Sequence, residues 1–125
     1  MFKIDTREKF YAITITGPTL AVNMTVEMEN CLRPLLQSDV KNVVLSMKDI
    51  EMIDVAAGET LVKIQQSFYE QNASFVVCEL NENVERFLDD SNLLELMNVT
   101  PTESEASDIV QMEEIEREFM DDEIA

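Results

Sequence analysis

Three carboxylates, Asp49, Glu51 and Asp54, fall within the single stretch Lys48 to Asp54. Oxygen ligands gathered on one connection are what a hard cation such as Mg²⁺ takes. This is where a small carboxylate- and Mg²⁺-dependent enzyme could be built. Two observations weigh against it. Asp and Glu supply 26 of the 125 residues, so acidic clusters arise by chance. No glycine-rich phosphate cradle with its lysine accompanies them. The chain also lacks histidine altogether, so no Ser–His, Cys–His or HExxH site can be assembled. Cys31 and Cys78 stand far apart in apolar surroundings, outside any CxxC, and read as buried core thiols. Catalysis, a cofactor and a bound metal are therefore not expected.

Asp54 has a second possible task. It directly precedes Val55, Ala56, Ala57 and Gly58, which open a helical pattern. An Asp at that place caps free backbone N–H groups. A first turn of small side chains lets another surface, or an anion, come close. Plain capping, with the small residues packed on a sheet, explains the same residues. Thr60, one turn further on, is the nearest hydroxyl.

The elements needed to hold this junction can be read along the chain. Phe2 to Asp5 is a short edge strand, and Phe10 to Thr16 alternates in period two until Gly17-Pro18 stops it. Met24, Met28, Cys31, Leu32, Leu35 and Leu36 recur at helical spacing, predicting a helix from Asn23 to Leu36 with Asn23 or Thr25 as its cap. Pro34 should distort or end it. Val43 to Met47 and Ser74 to Cys78 are continuous apolar runs, as in strands covered on both faces. Lys48 to Asp54 is a connection. A helix follows over Ala56 to Gln71, with Asn72 as its left-handed cap. Asn81 caps a short helix carrying Val84, Phe87 and Leu88. A turn and a last strand occupy Leu93 to Val99, and Thr102 with Glu105 forms a capping box. The order is β-β-α-β-α-β-α-β-α, an α/β fold with a mixed, mostly parallel sheet and helices packed on it. One domain over residues 1–120 is expected, with a frayed acidic tail at 121–125.

The last helix carries two apolar stripes. Ala106, Ile109 and Val110 lie on one side, while Met112, Ile115 and Phe119 lie more than about 100° round, at about 100° per residue. Either the helix bends, or the second stripe covers a neighbouring helix, a partner or a twin subunit, so a homodimer through Met112, Ile115 and Phe119 is one expectation.

Nine basic residues against 26 acidic ones give a net charge of −17. Such a field repels phosphate backbones and anionic lipid, which disfavours nucleic-acid and membrane-surface partners and favours a basic protein surface. Apolar content of 46% excludes a disordered chain. No apolar run approaches the roughly 20 residues that a bilayer requires, and the start has no signal-peptide pattern, so a cytoplasmic location is expected.

The motifs together resemble the STAS domains of bacterial anti-sigma factor antagonists. That family's strand "VVLD" is similar to Val43-Val44-Leu45-Ser46, and its helix-opening "iDSSG" is similar to Ile53-Asp54-Val55-Ala56-Ala57, at the same eight-residue spacing from position 46 to position 54. Leu61 and Val62 match the family's apolar helix positions, and Val99-Thr100-Pro101-Thr102 through Ala106 matches its C-terminal pattern. The resemblance implies partner switching: the antagonist docks a kinase-like anti-sigma factor until that kinase phosphorylates a Ser or Thr two positions after the motif Asp. Here that position is Ala56, and Ser46 replaces the strand Asp. The usual switch is then absent or relocated, with Thr60 as the nearest substitute. The expected docking residues are Asp54, Val55, Ala56, Ala57, Gly58 and Thr60. A second implied role is an accessory subunit docked on an ABC transporter ATPase, where phosphorylation is dispensable.

Overall fold

The computed structural model describes the backbone of residues 1–124 and the side chains of residues 1–119. The tail expected at 121–125 lies outside the described side chains.

Five strands form the main sheet: β1 (Phe2–Thr6), β2 (Tyr11–Ile15), β4 (Val43–Ser46), β6 (Phe75–Cys78) and β7 (Val99–Thr100), in the order β1-β2-β4-β6-β7. β1 runs antiparallel to β2, and every later pairing is parallel. Parallel neighbours need long crossovers. These are α1 (Thr25–Leu32), α2 (Val55–Glu70) and α3 (Glu82–Asp90), and the chain ends in α4 (Glu103–Ile124). The mixed, mostly parallel α/β architecture expected from the sequence is the one observed.

Side-chain alternation splits the core between the two faces of the sheet. Ile13, Ile15, Val43, Leu45, Phe75 and Val77 meet Met28 and Leu32 of α1, Leu61, Ile64 and Phe68 of α2, and Val84 and Leu88 of α3. Phe68 and Phe75 pack as a tilted aromatic pair with centroids 5.1 Å apart. Ala12, Val44, Val76 and Cys78 face the other way, against Ala106 and Val110 of α4. β4 and β6 are buried along their whole length, as their unbroken apolar runs require.

Several expectations need correction. The helix expected over Asn23 to Leu36 is three pieces: a 3₁₀ turn at Val22–Met24, α1, and a second 3₁₀ segment at Arg33–Gln37. Pro34 sits near the start of that last segment, where its missing N–H and its ring stop the α-helical ladder. Neither Asn23 nor Thr25 caps α1. The residue at its N-cap is Met24, with no side-chain bond, and the Thr25 hydroxyl donates to the Val22 carbonyl instead. The connection before Asp54 contains β5 (Met52–Ile53), which pairs in parallel with β3 (Thr19–Leu20) to make a separate two-stranded sheet. The remaining caps agree with expectation. Asn72 is left-handed at φ 60°, Asn81 Oδ1 accepts from Val84 N, and Thr102 Oγ1 accepts from Glu105 N.

No helix among the described residues is long and apolar enough to cross a membrane. Cys78 is buried, Cys31 is half-buried, and both are free thiols. Burial, with Glu79 and Glu103 nearby, pushes the Cys78 thiol up to about 12, so at neutral pH it is an un-ionised core group.

Candidate functional site

The Asp54 junction is built by the small sheet. Gly17 takes φ +105°, a conformation that disfavours a side chain, and turns the chain out of β2. The Pro18 carbonyl then accepts from Glu51 N at 2.7 Å and Met52 N at 3.0 Å, and the Leu20 carbonyl accepts from Asp54 N at 3.2 Å. These bonds seat Asp54 at the N-terminus of α2 in extended conformation.

Both carboxylate oxygens of Asp54 are occupied by backbone. Oδ1 accepts from Ala57 N at 2.9 Å, which caps α2. Oδ2 accepts from Val22 N at 2.8 Å, which ties in the 3₁₀ turn before α1. One side chain thus staples two elements 32 residues apart. Asp49 and Glu51 are exposed and do not converge on it. Among the described residues no group of three or more His, Cys, Asp or Glu side chains is placed to share a metal ion. The Asp49, Glu51 and Asp54 cluster that a Mg²⁺-dependent enzyme needs is therefore not assembled.

The predicted docking residues divide by direction. Val55 is exposed, while Asp54, Ala56 and Thr60 are half-buried. Ala57 and Gly58 are buried. A Cβ on Gly58 would lie 2.8 Å from Leu93 Cδ1 and 3.0 Å from Leu88 Cδ2. The small residues there let α2 approach α3 and its following loop, which shapes the junction from within. The Thr60 hydroxyl donates to the Ala56 carbonyl at 2.9 Å. Ser46 is buried and donates to Glu79 Oε1 at 2.8 Å.

Sequence reasoning missed three members of this surface: Val22, Val26 and Met52. With Val55 they are between 44% and 68% exposed. Val22 carries the N–H bonded to Asp54, Val26 follows one turn later, and Met52 and Val55 bracket Asp54. A signal was present for Val26, which lies about 200° round the helix from Met28 and so off its core stripe. None was present for Met52, because pairing across 33 residues decides which way β5 faces.

An apolar rim around a self-satisfied carboxylate is suited to protein contact, because such side chains gain by leaving water. It offers no nucleophile and no proton-transfer pair. A groove of about 520 Å³ near the end of β7, lined by Leu80, Met97, Val99 and Pro101 with one carboxylate, Glu85, is equally poor in reactive groups.

Among solved structures, the Thermotoga maritima protein TM1081 is similar with a TM-score of 0.77 and 23% identity, covering 89% of each chain. An anti-sigma factor antagonist from Mycobacterium paratuberculosis is similar at 0.76 and 12% identity, covering 89% of this chain and 93% of that one. The unphosphorylated form of the anti-sigma factor antagonist SpoIIAA is similar at 0.70 and 15% identity, covering 89% and 96%. These likenesses are of fold. No curated protein sequence matches the chain. The family profile described as STAS domain matches residues 1–106, and the chain belongs to the STAS domain family.

Proposed function

We propose that this protein is a non-catalytic docking module of the anti-sigma factor antagonist kind, which binds a kinase-like anti-sigma factor and is not released by phosphorylation at the usual place. The observation that carries the proposal is the exposed rim of Val22, Val26, Met52 and Val55 around Asp54. The docking set is Asp54, Val55, Ala56 and Thr60 with Val22, Val26 and Met52. Ala57 and Gly58 supply its shape.

Ala56 has no hydroxyl to accept a phosphoryl group. Thr60 is a poor replacement, because its hydroxyl is half-buried and bonded to the Ala56 carbonyl. A phosphate would bring about −1.5 to −2 charges into an already acidic surface and expel a partner. Its absence leaves the complex to be governed by affinity and abundance. A net charge of −17 favours a partner whose docking face is basic.

The test is calorimetric titration of the full chain with its kinase-like anti-sigma factor, with and without ATP. Saturable binding is expected. Met52→Asp or Val55→Asp should weaken it roughly tenfold or more, since each puts an unpaired carboxylate into a desolvated contact. After incubation with ATP the intact mass should be unchanged. Unaltered affinity in both variants would overturn the assigned surface, and a phosphate found on Thr60 would overturn the non-switching behaviour.

A further inference from the structure

We infer that α4 carries a second docking surface, and that its occupant is a basic amphipathic helix of another protein. Met112, Ile115 and Phe119 are between 59% and 65% exposed. They recur at i, i+3 and i+7, the spacing at which one helix presents anchors to another. By rotation along α4 they face roughly 150° away from Ala106, Val110 and Arg117. Those inward residues hold the helix to the sheet: Ala106 and Val110 are buried, and Arg117 donates to Ser74 Oγ at 2.6 Å. No other described residue of the chain covers the outer stripe. The family profile ends at residue 106, before the stripe begins.

Charge selects the occupant. Between Glu103 and Phe119 the helix carries seven acidic residues, and its sole basic residue is the inward Arg117. Glu116 and Glu118 are exposed on opposite sides of the apolar stripe, and Glu105 and Asp108 are exposed near its N-terminal end. A second copy of this chain would bring the same acidic flanks against them. An anionic membrane is repelled for the same reason. A helix with an apolar face and lysine or arginine on both sides meets every group of the surface with its complement.

The probe is a synthetic peptide of leucine and lysine, its leucines at alternating three- and four-residue spacing, titrated into the full chain with ¹³C-methyl methionines at about 0.15 M salt. The exposed Met112 and Met52 report separately on this surface and on the Asp54 junction. Saturable movement of the Met112 methyl, with Met52 unmoved, is expected. A peptide of the same composition with its leucines scattered should bind roughly tenfold more weakly or worse, as should the Ile115→Ser, Phe119→Ser double variant, which leaves charge unchanged. Equal binding by the scattered peptide or by the variant would reduce the contact to bulk charge and overturn the inference. Movement of Met52 alone would assign the helix to the other surface. A dimer in sedimentation that the double variant dissolves would show that a second copy occupies the stripe, and would equally overturn it.

Discussion

At the scale of single residues, Asp54 does more than its place in the sequence suggests. A cap for α2 was legible from an acid followed by a helical pattern, but the second bond, to Val22 N, needed two elements brought together. The two bonds can be separated by substitution. Asp54→Ala removes both and should lower the free energy of unfolding by about 1–2 kcal/mol. Asp54→Asn keeps an acceptor for Ala57 N but turns an amide donor toward Val22 N, so it should cost about half as much. Urea unfolding of the two variants measures the difference. Equal losses would show that the Ala57 bond contributes nothing, and an unchanged stability in Asp54→Asn would show the same of the Val22 bond. Ala56 is the other informative residue: its identity was plain in the sequence, and the tie between its carbonyl and Thr60 was not.

At the scale of elements, the helices are held together by a few polar ties beside the apolar core. The Tyr69 hydroxyl on α2 donates to Glu113 Oε1 on α4 at 2.8 Å and accepts from Asn98 Nδ2 at 2.6 Å. Burial first, then the bond to Glu113 and its charge, push this phenol from 10.0 up to about 12. The folded chain therefore holds the proton more tightly than the unfolded one. The stability this confers is fully present below pH 10.0 and is lost as pH rises toward about 12. Tyr69→Phe should be less stable at neutral pH by about 1 kcal/mol, and its deficit should shrink across that alkaline window. Urea midpoints on both sides of the window check the sign. A deficit that widens with pH would contradict the tie. The pieces around α1 belong to this scale too. The apolar spacing marked the core stripe correctly, with Met28, Leu32 and Leu36 buried. It did not reveal two 3₁₀ segments, because α and 3₁₀ turns place i and i+3 on nearly the same face.

For the whole molecule the dominant electrostatic fact is unbalanced acid. Among the described residues only two ion pairs fall within bonding range, Arg33 with Glu29 and Arg117 with Glu114. Most carboxylates repel one another through solvent, and that repulsion opposes the compact state. Salt should relieve it. Raising ionic strength from about 0.01 M to about 0.15 M shortens the screening length from about 30 Å to about 8 Å. The thermal midpoint should then rise by roughly 3–6 °C, equivalent to about 1 kcal/mol. Scanning calorimetry at the two salt levels reads this directly, and a flat or falling midpoint would refute it.

The order of the main strands and helices, the parallel centre of the sheet, and the caps at Asp54, Asn81 and Thr102 were all determined by the sequence itself. They depend on side-chain period and local hydrogen bonding, which act over a few residues. Tertiary structure alone decided the β3–β5 pairing, the burial of Ala57 and Gly58, the outward turn of Val22, Val26 and Met52, and the exposure of the second stripe on α4. Each depends on which distant segment lies alongside, and a two-residue strand or a single helix turn is too short to carry a periodic record of its neighbour.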